Sequence, residues 1–390
     1  MRYWLGFLAL VGGVLLFSGS ASAEGSGGRI VNDFNASLAS SGGHLWLARY
    51  GKNKKDEYET EVLEKTGHGW KRLSGHLPPT SDALLMTTYR DGRKTIPCLG
   101  LSKFREKNNY EPAVFCRVRG RWKSLPMSTE MRQMGLVDLE GRGGRLVALF
   151  TDVGAKRSEA RIGVSKGGRF AFQGRPTAAP GSSLFKLGTN AKSVSSDVID
   201  VAVDVTFGKS GGKRWVATLD GRKWRKTRLL PATAVGPQIG GPVRTSEGLF
   251  FPVTEAYWPR AEDPRGDRPW EFSVFQLRGK KWSRVGGHPL NQGKGKAQGH
   301  ITVIGDRVVA VWDEIMLPPP TQYAAVPTRE YIARLNGKTF KVKKVWSGKR
   351  ALPTDAQAVG YKGKTAVLFM RQDLSKVPDI VMHSVVHIIP

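Results

Sequence analysis

The chain has 390 residues, and its 61 Lys and Arg against 33 Asp and Glu give a formal net charge of +28 at pH 7. Its 47 Gly and 22 Pro favour many tight turns and argue against long helices. No Gly-x-Ser-x-Gly elbow, phosphate-binding Gly-Lys-Ser/Thr loop, His-Glu-x-x-His motif or zinc-type Cys/His spacing occurs, so these common catalytic and metal-binding classes are excluded.

The first 23 residues have the pattern of a secretory signal peptide. Arg2 supplies a positive charge, an apolar run extends to Phe17, and small residues lead to Ala23. The apolar run is shorter than the roughly 20 residues of a membrane-spanning helix, so we predict cleavage after Ala23, with a membrane anchor as the alternative. We therefore expect residues 24–390 to form a single domain that is secreted or periplasmic, with no later membrane span.

Basic residues are spread along the whole chain, with clusters such as 222–226 and 341–344. A strongly positive protein attracts anionic polymers. In an exported protein we expect an acidic glycan or another envelope polymer as the partner rather than nucleic acid. A protein partner, or a basic surface with no specific partner, is the alternative.

Cys98 and Cys116 are predicted to form a disulfide. They lie on two predicted neighbouring strands, 96–101 and 112–118, whose connection is centred near Lys107, so the two residues stand opposite each other. Antiparallel pairing brings such residues within disulfide range, and export supplies an oxidising compartment. Two buried free thiols are the alternative.

One sequence unit recurs along the chain: an apolar strand, a Gly turn, and an aromatic residue beside basic residues. The aromatics recur 48 to 58 residues apart, at Trp70, Trp122, Phe170, Trp224, Trp282 and Phe340. Each unit divides into four predicted strands, which in the sixth unit are 299–304, 307–312, 330–335 and 339–345, and in the third 134–139, 145–151, 160–165 and 169–172. Four antiparallel strands per unit predict the blades of an all-β propeller.

The number of blades depends on how the two ends of the chain meet. After the sixth aromatic, segments 356–361, 365–370 and 379–388 supply three strands, and 29–33 is a spare strand before the first unit. We predict that this spare strand completes the last blade. The result is a seven-bladed β-propeller closed by pairing of N- and C-terminal strands, which removes exposed sheet edges. A six-bladed ring is the alternative.

The run from Val308 to Asp313 ends a second strand, and a strand, a Gly turn and an aromatic residue follow it. The segment Thr-Leu-Asp-Gly-Arg-Lys-Trp at 218–224 is close to an Asp box, one residue short of the usual spacing. The chain thus resembles the sialidase-like, Asp-box-containing β-propellers. This resemblance implies a propeller fold and activity on glycans. It also implies that Arg29-Ile30-Val31 corresponds to the family's Arg-Ile-Pro motif, whose Arg holds the substrate carboxylate; here the Pro is missing, and our closure places the strand at an outer edge.

In a propeller, the connections between second and third strands open on one face near the central channel. The residues predicted there to bind a ligand are Arg49, Tyr50, Arg105, Tyr257, Trp258, Arg371 and Asp373, with Lys103 and Asp204 at comparable positions. Carboxylates that could act as general acid and base, if roughly 5–10 Å apart, are Glu255, Asp313, Glu314 and Asp152. The long segments 258–270 and 317–323 would project from the same face.

No cofactor or metal is expected. His383 and His387 lie four residues apart on a predicted strand, about 13 Å, which is too far to share one ion. The leading hypothesis is an exported propeller that binds a ligand or partner, an anionic cell-envelope glycan above all, without catalysis. The alternative is a sialidase-like glycoside hydrolase, and the sequence does not decide between a binding protein and an enzyme.

Overall fold

The structure is a computed structural model. It describes residues 20–22, 30–78, 83–91, 94–105, 109–153, 156–166, 168–180, 183–205, 213–221, 223–226, 238–255, 270–291, 295–316, 327–349, 356–373 and 381–390. Within these ranges no helix is long and apolar enough to cross a membrane. The predicted signal peptide lies outside the described residues except for 20–22, as does Arg29.

Almost all the described secondary structure is β-strand, and one short helix, α1 (Thr129–Arg132), lies between two sheets. In chain order the strands are β1 (Ser20–Ser22), β2 (Ile30–Ser41), β3 (His44–Asn53), β4 (Tyr58–Thr66), β5 (Gly69–Arg72), β6 (Ala83–Asp91), β7 (Lys94–Arg105), β8 (Asn109–Val118), β9 (Arg121–Ser124), β10 (Gly135–Arg142), β11 (Arg145–Val153), β12 (Arg157–Lys166), β13 (Arg169–Pro180), β14 (Leu184–Leu187), β15 (Thr189–Asn190), β16 (Val198–Val205), β17 (Lys213–Asp220), β18 (Lys223–Lys226), β19 (Gln238–Ile239), β20 (Val243–Thr245), β21 (Gly248–Glu255), β22 (Glu271–Arg278), β23 (Lys281–Arg284), β24 (Gly295–Ile304), β25 (Arg307–Met316), β26 (Pro327–Asn336), β27 (Thr339–Lys349), β28 (Gln357–Tyr361), β29 (Lys364–Asp373) and β30 (Val381–Ile389).

These strands form seven sheets among the described residues, and each sheet is one blade. Blades one, two, three and six are β2–β5, β6–β9, β10–β13 and β24–β27, each in simple antiparallel order. Blade four is β14, β16, β17 and β18, and blade five is β19 to β23, with β15 added in parallel to β20. Blade seven is β28, β29, β30 and β1. The predicted seven-bladed propeller is confirmed, and the six-bladed alternative is wrong.

The core lies between the blades. Successive side chains of a strand point to opposite faces of its sheet, so Leu45 and Leu47 of β3 pack against blade seven, whereas Trp46 and Ala48 pack against blade two. Seven clusters of buried apolar side chains are found among the described residues, one for each pair of neighbouring blades. The ring is therefore continuous, and no blade is left with an unpacked face.

The repeat found in the sequence has a fixed place in each blade. Each of its six aromatic residues is the second residue of a fourth strand, in β5, β9, β13, β18, β23 and β27. The hairpin before the strand needs a left-handed residue, which glycine supplies at Gly120 (φ 80°) and Gly168 (φ 77°). The Asp-box-like segment 218–224 is such a hairpin, between β17 and β18.

The ring closes through both ends of the chain, as predicted, but with different N-terminal residues. The prediction that 29–33 is the outer strand of blade seven is wrong, because Ile30 begins β2, the innermost strand of blade one. The fourth strand of blade seven is instead β1, whose Ser20–Ser22 pairs with residues 385–387 of β30. These three residues belong to the segment that we expected signal cleavage to remove.

The disulfide between Cys98 and Cys116 is confirmed. The two residues are direct antiparallel partners on β7 and β8, and both are buried. The disulfide therefore links the second and third strands of blade two within the core between blades two and three.

Candidate functional site

The connections between the second and third strands of the blades open onto one face of the ring, which we call the BC face. We call the opposite face the AB face. Of these connections, that of blade one, between β3 and β4, is described completely. Three predicted residues, Arg105, Glu255 and Asp373, are the last residues of β7, β21 and β29 and so reach the BC face as expected; only their backbone is described. The structure does not describe Tyr257 or Trp258. Of the two long segments, residues 258–269 and 317–323 also lie outside the described residues.

Arg49 lies in a buried ion-pair cluster between blades one and seven. Its Nη2 is 2.5 Å from Glu61 Oε1, and its Nη1 is 3.5 Å from Asp33 Oδ1. The backbone N–H of Ser384 in β30 donates to Asp33 Oδ2 at 2.6 Å. Burial raises the pKa of Asp33, and the nearby Arg49 opposes that shift. The cluster anchors the start of β2 to the last strand of the chain.

Arg371 lies in a second cluster, between blades six and seven. Its Nε and Nη2 each donate to a carboxylate oxygen of Glu330 at 2.6 Å, a bidentate pair. His387 Nε2 is 3.3 Å from Glu330 Oε2, and the Arg371 guanidinium lies 4.1 Å from the ring centroid of Trp346. Asp313 is the direct cross-strand neighbour of Glu330 and is also buried. Sequence reasoning named Asp313 and missed Glu330, although predicted strands 307–312 and 330–335 could have paired them.

The other predicted carboxylates have different surroundings. Asp204 is buried beside Arg214, with Arg214 Nε 3.4 Å from Asp204 Oδ2, and burial raises the pKa of Asp204 to about 6. Glu314 is buried opposite Arg329 on the neighbouring strand. Asp152 is exposed near the end of β11. Among the predicted acids whose side chains the structure describes, none form one open pair. Asp204 and Glu314 each lie opposite an arginine of their own blade.

An aromatic cluster stands at the BC face of blade one. Tyr50, a predicted ligand residue, stacks on Tyr58 with centroids 5.8 Å apart and an interplanar angle of 17°. Phe34 lies 6.2 Å from Tyr50 and 5.8 Å from Tyr58. Sequence reasoning missed Phe34 and Tyr58, because a β-bulge between Asp33 and Asn35 turns Phe34 toward the tyrosines, and no local pattern predicts that bulge.

The AB face is crossed by residues 188–197, which we call the crossing loop. It reaches blade three through the ion pair of Asp197 with Arg145, blade five through the bond from Ala191 N to Arg244 O at 2.8 Å, and blade six through Ser193 Oγ and Asp306 Oδ1 at 2.9 Å. Blades three and six lie on opposite sides of a seven-membered ring. The crossing loop, which joins β14 to β16 of blade four, therefore lies along the AB face of four successive blades, three to six.

The outer rim of the ring is basic. The fourth strands of blades one to six contain fifteen Lys and Arg and no Asp or Glu. Most of these side chains are exposed, including Lys341, Lys343 and Lys344 on β27. We call this set of strands the basic rim. No group of three or more His, Cys, Asp or Glu able to hold a metal occurs among the residues that the structure describes.

The fold is similar to that of solved β-propeller structures. An ulvan lyase of polysaccharide lyase family 25 bound to -[GlcA(1-4)Rha3S]- matches at a TM-score of 0.57, with 11% identity over 94% of this chain and 93% of that chain. The same lyase without that saccharide gives 0.58, with 11% identity and 92% of each chain covered. The sialidase of Trypanosoma rangeli with the inhibitor DANA gives 0.46, with 12% identity over 94% of this chain and 57% of that chain.

The chain thus has a seven-bladed β-propeller fold similar to that of the ulvan lyase, and the predicted resemblance is confirmed at the level of the fold. Neither a protein-family model nor a curated protein sequence matches it. At such low identity, the likeness extends to the arrangement of blades and not to site residues.

Proposed function

We propose that this protein binds an anionic glycan and does not cleave it. The observation that carries this proposal is the basic rim, in which fifteen cations stand without one Asp or Glu on the same strands. Since the fourth strands are the outermost of each blade, their charges add to one positive field around the molecule. Such a field attracts a polyanion and weakens as salt is added.

The carboxylates support binding rather than hydrolysis. Glycosidases place two carboxyl groups on either side of an accessible glycosidic bond. Here Glu330 is held by Arg371 and Asp33 faces Arg49, and both carboxylates are buried between blades. An acid in such a pair stabilises its arginine and is not positioned to reach a sugar. The fold likeness to an ulvan lyase bound to -[GlcA(1-4)Rha3S]- supports an acidic saccharide as the ligand class.

Calorimetric titration of the full chain tests the proposal. The ligands are oligosaccharides of the -[GlcA(1-4)Rha3S]- type and, as a neutral control, dextran, at low and high salt. We expect binding of the acidic oligosaccharide that weakens with salt, and no binding of dextran. The triple substitution Lys341→Glu, Lys343→Glu and Lys344→Glu should weaken binding severalfold, whereas Lys→Arg at the same three positions should leave it unchanged.

Cleavage is measured in the same samples, as new reducing ends and as the ultraviolet absorbance of unsaturated uronate. Turnover by the wild-type chain would overturn the non-catalytic part of the proposal and support the hydrolase or lyase alternative; Glu255→Gln and Asp313→Asn would then show whether those carboxylates take part. Failure to bind any acidic glycan would overturn the proposal as a whole.

A further inference from the structure

The aromatic cluster of blade one, Phe34, Tyr50 and Tyr58, which we call the aromatic platform, leaves large rings exposed to solvent. Phe34 is 46% exposed and Tyr58 is 55% exposed. Among the described residues, four large apolar side chains are strongly exposed, and two of them meet here. Leaving apolar rings in water is unfavourable, so contiguous exposed rings commonly mark a binding surface.

The platform is held in place from both sides. The bulge that presents Phe34 follows directly on Asp33, which is fixed by Arg49 and by the backbone of Ser384. The connection that leads into Tyr58 is fixed by Asn53, whose Oδ1 accepts from the backbone N–H groups of residues 55 and 57 at 2.8 and 3.1 Å. The rings therefore do not have to be ordered when a ligand binds, which favours affinity.

The groups around the platform suit a sugar. A pyranose ring has an apolar face of C–H groups that can lie on an aromatic ring, while its hydroxyl groups need polar neighbours. The Lys52 ammonium lies 5.5 Å from the Tyr58 centroid and 2.8 Å from Asp56 Oδ1. Lys54 and Lys55 are exposed on the same connection. These charged groups can meet hydroxyl and carboxylate or sulfate groups at the edge of a stacked sugar.

We propose that the aromatic platform is a saccharide-stacking subsite, which takes one pyranose ring of the acidic glycan at the BC face. This inference rests on the proposed function: the basic rim attracts the polyanion over a distance, and the platform holds one of its rings in contact. The contribution of stacking does not depend on ionic strength, whereas that of the rim does.

The test compares three sets of full-length variants in titrations with a -[GlcA(1-4)Rha3S]- oligosaccharide over a series of salt concentrations. Phe34→Ala combined with Tyr58→Ala should weaken binding about tenfold, within the range found for a nucleobase stacked on an aromatic side chain, without changing the salt dependence. Phe34→Tyr with Tyr58→Phe keeps both rings and should bind as the wild type does. Val342→Ala removes an exposed apolar side chain on the basic rim and should also have no effect.

The outcomes separate the two proposals. If the wild type binds and the double alanine variant binds equally well, the subsite is wrong and glycan binding stands. If the wild type binds no acidic glycan, the proposed function is wrong and the subsite with it. If the alanine substitutions change the sedimentation of the protein and leave glycan affinity unchanged, the platform contacts a second copy of the chain, and the subsite is again wrong.

Discussion

Asp204 shows what burial does to a single charge in this ring. Its folded-state pKa of about 6 lies above the ordinary 3.8 because burial penalises the carboxylate. Folding therefore favours the protonated acid, so its contribution to stability is full below pH 3.8 and is lost as the pH rises through 6. The loss is at most about 3 kcal/mol.

The side chain introduced by Asp204→Asn does not titrate. The free energy of unfolding of the variant should therefore differ from that of the wild type by a constant amount plus the pH-dependent contribution of Asp204. Urea unfolding between pH 4 and 7 should show the wild type losing about 2 kcal/mol relative to the variant as the pH rises. Parallel pH profiles for the two proteins would contradict the burial that the structure assigns to Asp204.

Gly141 marks a close approach of two blades. Its N–H donates to Thr87 Oγ1 at 2.9 Å, and a Cβ at this position would stand 1.8 Å from the carbonyl oxygen of Thr88. Gly141→Ala should therefore force β6 and β10 apart and cost about 1–3 kcal/mol or more in denaturant unfolding. Gly67→Ala is the matched control, because a Cβ there meets nothing within 4 Å and should change stability by less than about 0.5 kcal/mol. Equal effects at the two positions would refute this account.

At the level of elements, the disulfide joins two strands that the sheet already pairs. Cys98 and Cys116 are 18 residues apart, and closing a loop of that size constrains the unfolded chain by about 3 kcal/mol. Cys98→Ala with Cys116→Ala should lose about that amount in denaturant unfolding and keep the ring, because the seven interfaces between blades remain. A reducing agent should lower wild-type stability to the level of the variant and leave the variant unchanged; a variant that also responds to the reductant would contradict the assignment.

The elements that the sequence predicted well are those set by local patterns. The spacing from Trp70 to Phe340 gives the blades because each aromatic belongs to a hairpin built from neighbouring residues. The partner of Arg371 was missed because Glu330 lies in another blade, and the bulge before Asn35 and the crossing loop depend on contacts between distant segments. Candidate residues could thus be placed on the correct strands, whereas the direction and partner of each side chain could not.

At the level of the whole molecule, closure of the ring depends on a strand of three residues. Ser20, Ala21 and Ser22 pair with His387, Val386 and Val385, and the fourth strands of the other blades have 4 to 12 residues. If the signal peptide is removed after Ala23, as the sequence predicts, the exported chain begins at Glu24 and β30 becomes an open edge. Six of the nine residues in its sequence, VMHSVVHII, are apolar, and an edge of this kind readily pairs with other chains.

A chain that begins at Glu24 should therefore be less stable than one that begins at Ser18, by about 2 kcal/mol for two or three lost backbone hydrogen bonds. It should also associate more as its concentration rises. Thermal unfolding and sedimentation of the two chains measure both effects, and a Ser18 chain with residues 20–22 replaced by glycine separates strand pairing from chain length. N-terminal sequencing of the protein purified from its native source then shows which form is the natural one. Identical unfolding temperatures and identical sedimentation would mean that β1 does not close the ring, and that the packing of β2 against β28 and β30 holds blades one and seven together without it.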